Sequence, residues 1–412
     1  MNTILSRLKT CATACALVAG AGVFLAGCAT EITAPPSVSE VLMDSAFKPP
    51  TVRIDPSEAL AFSPAMQRFA DNEMAGPIRS KGARDGLIEA LYSRSRLQLD
   101  YDSETTRSAA EAFEARRGNC MSLVLMTAAF AHHFNLPFQF NSVFLEESWS
   151  RASGLYFISS HVNISLAKPL ATSPQTFSFG GPELLTIDFL PPEQVRGQRS
   201  RVVDERTIVA MYLNNRAAEA LTVGQIDNAY AWARAAVLAD PRWLSAYNTL
   251  AVLYRRKGLM DKAESTLRQV LAREPLNSQA LSNLILVLSD VGRQAEAQVF
   301  ADQLAKIQPV PPYQLFDQGV AAMKVGEYDL ARRLFRQEIA RAAYVPEFHF
   351  WLALASYGLG DLSGARGEIV KALENATTVK DRAIYGAKLA WLNEQRELRD
   401  PRDRVDTRER RR

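Results

Sequence analysis

The chain has 412 residues, of which 47% are hydrophobic and 23% charged, with 21 Gly, 20 Pro and a formal net charge of +3. That composition belongs to a folded globular protein, because disordered chains hold fewer apolar residues and collagen-like chains far more Gly. The near-balanced charge gives no electrostatic reason for a nucleic-acid partner, and four cysteines are too few for a disulfide-stapled scaffold.

Arg7 and Lys9 precede an apolar stretch from Cys11 to Ala26. A basic region followed by so short an apolar run reads as a secretory signal rather than a membrane span, which needs about 20 residues. The run closes on Leu25-Ala26-Gly27-Cys28, which resembles the bacterial lipobox. The resemblance implies that residues 1–27 are a signal peptide, that lipid is attached at Cys28, and, with Ala29 following, that the protein is sorted to the outer membrane and faces the periplasm. Membrane contact is then expected through that lipid. Residues 28–50, with Pro35-Pro36 and Pro49-Pro50, read as a flexible tether. Cys120 is the one thiol left in the mature chain, in a compartment where disulfides form readily.

Residues 51–200 read as an α+β domain. Helical patterns cover Ala59–Glu73, Ala83–Ser95 and Glu104–Arg116; then Cys120 opens a segment apolar on all sides to Phe134, which is a buried helix. Alternating runs at Phe138–Leu145, Leu155–Leu166 and Leu184–Leu190 read as strands. With Gly118-Asn119 as the turn, Cys120 stands at a helix N-terminus, where free N–H groups and the macrodipole favour a thiolate. His132 and His133 lie about 18 Å down the same helix, too far for proton transfer. His161 shares a strand face with Asn163, opposite Val162, Ile164 and Leu166, and Asp188 lies between Ile187 and Phe189 on a later strand. The expected set is Cys120 as nucleophile, His161 as base and Asp188 as the acid that orients the imidazole. Neither a metal-ligand cluster nor a phosphate-cradling Gly loop is present in the sequence, so no cofactor is expected.

Leu97-Gln98-Leu99-Asp100-Tyr101, Ala109-Ala110-Glu111-Ala112 and Arg116-Arg117-Gly118-Asn119-Cys120, continuing to Leu136-Pro137, resemble the bacterial transglutaminase-like superfamily over roughly residues 85–192. The resemblance implies a papain-like cysteine enzyme and carries the nucleophile to Cys120, the base to His161 and the orienting acid to Asp188. Two departures are Val162-Asn163-Ile164 after the histidine, without the family's aromatic, and Phe189 rather than Pro after the aspartate. An insert at Ser173–Pro182 separates the last two strands.

From residue 203 to 398 the sequence is periodic. Gly224, Gly258, Gly292, Gly326 and Gly360 recur every 34 residues, as do Ala229, Ala263, Ala297, Ala331 and Ala365, and Pro241, Pro275 and Pro309 follow the first three units. Each Gly ends a first helix, each Ala allows close approach of a second, and each Pro closes the unit. The pattern resembles five tetratricopeptide repeats over 208–377, with a capping helix around Asp381–Leu398 and a charged disordered tail at 399–412. Ala343 and Thr377 replace the closing Pro in the last two units. Phe348-His349-Phe350-Trp351 reads as core and seam. The expected fold is thus an α+β papain-like domain followed by an all-α solenoid.

Two functions fit. One is an outer-membrane-anchored cysteine enzyme acting on an amide, hydrolysis favoured over transamidation, with the repeats recruiting a protein or peptide into their groove. The other is a non-catalytic assembly lipoprotein in which the repeats do the binding.

Overall fold

A computed structural model describes residues 38–92, 97, 99–144, 149–152, 155–158, 161–168, 183–190 and 198–399. The signal peptide, Cys28, the first part of the tether, the insert at 173–182 and the tail from residue 400 lie outside the described residues.

The α+β region opens with helices α1 (Pro64–Phe69) and α2 (Ala75–Lys81), joined by a wide π turn over Ala70–Met74, then α3 (Ala83–Tyr92). The helix expected at Ala59–Glu73 therefore starts later, at Pro64, where Ser63 caps it and proline fits the first turn. A two-residue strand β1 (Asp100–Tyr101) lies parallel to β2 (Arg117–Gly118), on either side of α4 (Ala109–Ala115). The sequence pattern began this helix at Glu104, but a capping box formed by Ser108 and Glu111 sets its start. Residues 102–107 are instead a loop, closed on itself by Asp102, whose carboxylate accepts from Glu104 N at 3.0 Å and from Arg107 Nη1 at 2.9 Å.

Helix α5 (Cys120–His133) is buried along 11 of its 14 residues, as its lack of any polar stripe requires. It packs against a four-stranded antiparallel sheet built from β3 (Phe138–Phe144), β6 (His161–Ala167), β7 (Leu184–Ile187) and β8 (Arg199–Val203), in the order β7-β6-β3-β8. Val162, Ile164 and Leu166 of β6 face the core with no exposure. The single strand expected at Leu155–Leu166 is two: β5 (Leu155–Ile158) pairs with β4 (Trp149–Ala152) in its own ribbon, and β6 begins afresh at His161.

Ten helices then pair in antiparallel succession. They are α6 (Glu205–Thr222) with α7 (Ile226–Ala239), α8 (Ser245–Arg256) with α9 (Met260–Arg273), and α10 (Ser278–Asp290) with α11 (Gln294–Ile307). The last pairs are α12 (Gln314–Lys324) with α13 (Tyr328–Arg341) and α14 (Pro346–Gly358) with α15 (Leu362–Glu374), closed by α16 (Val379–Arg399). The five periodic glycines adopt φ between +77° and +80°, a left-handed stop that other residues reach only with strain. At the first, Gln225 N bonds Ala220 O and Gly224 N bonds Leu221 O, the paired bonds of a helix end wrapped by glycine. All five periodic alanines are buried at the helix–helix contact. Where Ala343 replaces proline, the preceding Ala342 keeps a non-helical cap with φ −144°, like Asp240, Glu274 and Gln308 at −142°, −128° and −135°. The last unit differs: α15 has 13 residues where α13 has 14, so its cap falls one position earlier in the repeat, on Asn375, and the turn that follows carries Thr377.

The tether departs from the flexible linker expected. Its part from residue 38 to 50 is strapped onto the repeats: Tyr254 donates to Val41 O at 2.7 Å, and Phe47 stacks on Tyr230 with ring centroids 3.8 Å apart. Asn228 Oδ1 accepts from Thr51 N at 2.8 Å. Val41, with no exposed surface, belongs to the same continuous apolar core as α5 and the first three repeats. A proline-bearing stretch reads as linker from composition; its Val, Phe and backbone groups find partners only once the repeats fold.

Candidate active site

Asn119 caps α5 in extended geometry, its Oδ1 accepting from Ser122 N at 3.0 Å and Ser122 Oγ at 2.8 Å. This leaves Cys120 as the first helical residue. Gly118 permits the turn, since a Cβ there would stand 2.5 Å from the Ser122 Cβ. Arg116 just before it takes φ 52°, the left-handed bend that turns α4 into β2.

Cys120 lies against the start of β6. Burial opposes its ionisation, yet the His161 hydrogen bond and charge, with N–H groups of Val162 and Met121 at the sulfur, outweigh burial and hold the thiol below its usual range. His161 is buried and its Nε2 bonds Asp188 Oδ1 at 2.7 Å, which leaves Nδ1 for the cysteine. Burial alone would lower the imidazole; the Asp188 and Cys120 interactions reverse this and push it up to about 9. Burial likewise opposes the Asp188 carboxylate, which the bond and charge of His161 nonetheless hold below its ordinary value. The three residues named from the sequence therefore meet, in the chain order expected.

Asp188 is held on all sides. Leu190 N donates to Oδ1 at 3.0 Å, and Asn163 Nδ2 to Oδ2 at 2.8 Å. Asn163 accepts in turn from Asn141 at 2.8 Å, and Asn141 also donates to Ser165 Oγ at 2.9 Å. Buried and fully paired, these amides and hydroxyls form a stiff polar face behind the acid. Their signal in the sequence is the alternation His161, Asn163, Ser165; no local pattern gives Asn163 a role of its own.

Tyr101 was also missed. The β1–β2 pairing sets it beside Gly118, where its phenol meets both the backbone N–H and the sulfur of Cys120, and burial holds it above its usual range. The loop after it reaches two ways. Asn119 Nδ2 donates to Thr106 Oγ1 at 2.8 Å, and Arg107 N to Ser122 Oγ at 2.8 Å, while Thr106 N donates to Glu219 Oε1 of α6 at 2.7 Å. Arg216, also on α6, donates to Thr106 O at 3.2 Å.

The remaining histidines have ordinary partners. His132 bonds Glu205 at 2.9 Å, His133 stacks on Phe62, and buried His349 bridges Glu368 at 2.7 Å and Ala343 O at 2.9 Å. Among the described residues no group of three His, Cys, Asp or Glu is placed to hold a metal ion, and no helix is long and apolar enough to cross a membrane.

Sequence models described as tetratricopeptide repeat match residues 244–275 and 316–378. A similar protein is the TPR repeat-containing protein YvcD of Bacillus subtilis (strain 168), 27% identical over 148 residues, which are 35% of this chain; the chain spans 30% of that protein's length. Among solved structures, a thermophilic TPR protein of Thermus thermophilus is 21% identical, covering 44% of this chain and 99% of its own, with a TM-score of 0.28. MamA of Desulfovibrio magneticus RS-1 is 19% identical, covering 37% of this chain and 85% of its own, with a TM-score of 0.23. The C-terminal half of the chain carries tetratricopeptide repeats, and arrays of this class present an extended surface to protein partners.

Proposed function

We propose that the chain is a cysteine enzyme that cleaves amide bonds in a protein or peptide recruited by its repeats. The observation that carries this reading is His161 bridging a cysteine at the first position of a helix and a fully hydrogen-bonded aspartate. The Cys120 thiolate attacks the amide carbon, and negative charge passes from sulfur to the carbonyl oxygen. His161 gives its proton to the leaving amine as the C–N bond breaks, and a thioester remains. Water then attacks the thioester, His161 taking its proton, and carboxylic acid leaves as the thiolate reforms. Tyr101, beside both the sulfur and the Cys120 N–H, is suited to follow the charge onto the oxygen. Asp188 holds the imidazole's orientation and stabilises its cation. The papain-like, transglutaminase-like kinship of the α+β region is part of this proposal and rests on the Arg116–Cys120 motif.

The lipobox-like Leu25-Ala26-Gly27-Cys28 supports attachment to the bacterial envelope, at the outer membrane on its periplasmic side, by lipid on Cys28. Metabolic labelling with a radioactive fatty acid, lost in Cys28→Ala, tests it. A second reading, the scaffold, is favoured by the family matches, which fall within the repeats. The two separate on the pH dependence of iodoacetamide alkylation, followed by mass spectrometry at the Cys120 peptide of the full chain. The enzyme reading requires an inflection below the ordinary thiol value of about 8.5 that His161→Ala shifts upward. A thiol that stays unreactive to high pH leaves the repeats as the working part.

A further inference from the structure

The far end of the repeat array returns to the cysteine. Ser103 N donates to Thr377 O at 3.2 Å and Ser103 Oγ to Thr377 Oγ1 at 2.9 Å, so the turn after the fifth repeat grips the loop that follows Tyr101. Arg382, in the first turns of α16, donates through Nη1 to Ala376 O at 3.2 Å and through Nη2 to Tyr101 O at 3.3 Å. One guanidinium therefore bridges the last repeat and β1. The same short segment, residues 101–107, is held at its other end by Arg216 and Glu219 of the first repeat. Both ends of the array thus meet on the loop whose side chains touch Cys120 and its capping residue Asn119.

We propose that the C-terminal end of the array is a positioning element of the Cys120 site, with Arg382 and Thr377 holding the strand that sets Tyr101 against the cysteine. Neither residue touches the sulfur; each acts through Tyr101. The contact is made of hydrogen bonds between partly exposed groups, each worth only about 0.5–1.5 kcal/mol net, so it is a closure that opens readily rather than a fused core. It also accounts for the irregular fifth turn. The last helix of the array's fifth unit ends one residue earlier in the repeat than α13, and Ala376 N bonds Leu373 O where its counterpart Ala342 N bonds Glu338 O; this altered turn is the one that presents Thr377 to Ser103.

This inference rests on the enzymatic reading, and its test is arranged so that the two fail differently. Alkylation of Cys120 in the full chain is measured against pH for the unaltered protein, Tyr101→Phe, Arg382→Ala, both together, and Lys388→Ala, which alters α16 away from the contact. Arg382→Ala and Tyr101→Phe are each expected to slow alkylation at pH 7 about three- to tenfold, the loss of a donor to a charged group, and to move the inflection upward. The double variant is expected to be no slower than Tyr101→Phe, because one effect passes through the other. Lys388→Ala is expected to match the unaltered chain. Ser103→Ala, at an exposed contact that does not endanger folding, is expected to shift the profile in the same direction by less. A profile that Arg382→Ala and Ser103→Ala leave in place while Tyr101→Phe moves it overturns the inference alone, as do losses that multiply. An unaltered chain with no inflection below the ordinary thiol range overturns the enzymatic reading, and the inference with it.

Discussion

The repeat array meets the α+β region twice, and the two junctions are made of different materials. At the first, α6 contributes Ile208, Met211, Tyr212 and Leu213 to the same apolar core that encloses α5, and that core runs on through the third repeat. At the second, Thr377 and Arg382 reach residues 101–103 through hydrogen bonds, while the apolar residues of repeats four and five gather in separate clusters of their own. Apolar burial is non-directional and grows with area, so the first junction is permanent on the scale of the fold. Hydrogen bonds exposed to water exchange with solvent at little net cost, so the second is a contact of orientation. The difference teaches that one repeat array can be a structural wall at one end and an adjustable clasp at the other.

The largest expected effect lies at the site both junctions serve. His161→Ala removes the partner that outweighs the burial of Cys120, and alkylation at pH 7 is expected to fall more than tenfold. The pH dependence has a definite sign. The imidazole is raised from 6.5 to about 9 in the folded state, so its stabilisation is complete below 6.5 and fades as pH rises through about 9. Urea titrations of the unaltered chain and His161→Gln are expected to converge over that window; a gap that widens there would refute the ion pair. Asp188, held low, acts oppositely, its contribution present above the ordinary carboxylate range and lost as pH falls through its depressed value.

Next comes Gly118→Ala, whose new Cβ would stand 2.5 Å from Ser122 Cβ. Overpacking there is expected to cost about 1–3 kcal/mol in urea unfolding and to slow alkylation, since Ser122 helps hold the start of α5. Glu219→Ala at the first junction strips the acceptor from Thr106 N and is expected to cost about 1–2 kcal/mol. Ser103→Ala at the second is expected to cost less than about 1 kcal/mol. If Ser103→Ala costs as much as Glu219→Ala, the distinction between wall and clasp falls. Gly292→Ala forces an alanine to φ +78° within the third repeat and is expected to cost about 1 kcal/mol while leaving Cys120 alkylation unchanged.

The repeats were legible because their information is local and repeated. A glycine every 34 residues fixes a left-handed stop wherever it stands, and an alanine five residues on fixes a close helix contact. Cys120 at a helix start, His161 on a polar strand face and Asp188 beyond it were legible for the same reason: capping and alternation act within a few residues. Sequence pattern and structure part where a neighbour distant in the chain decides. Residues 104–107 carry a helical pattern, yet Asp102 and the repeat residue Glu219 take their backbone and side-chain groups into a loop.

The sequence by itself determined the five helix pairs, the buried helix headed by Cys120 and the order of the candidate site, because period, capping and face alternation are short-range properties of the chain. Tertiary structure alone decided that residues 38–50 lie strapped on the repeats, that Asn163 steadies Asp188, and that Tyr101 stands against Cys120. It also decided that the first and last repeats, more than 150 residues apart, close on one loop. Each of these depends on partners far away in sequence, and how far the array curves back is the sum of many small rotations between repeats that no local pattern records.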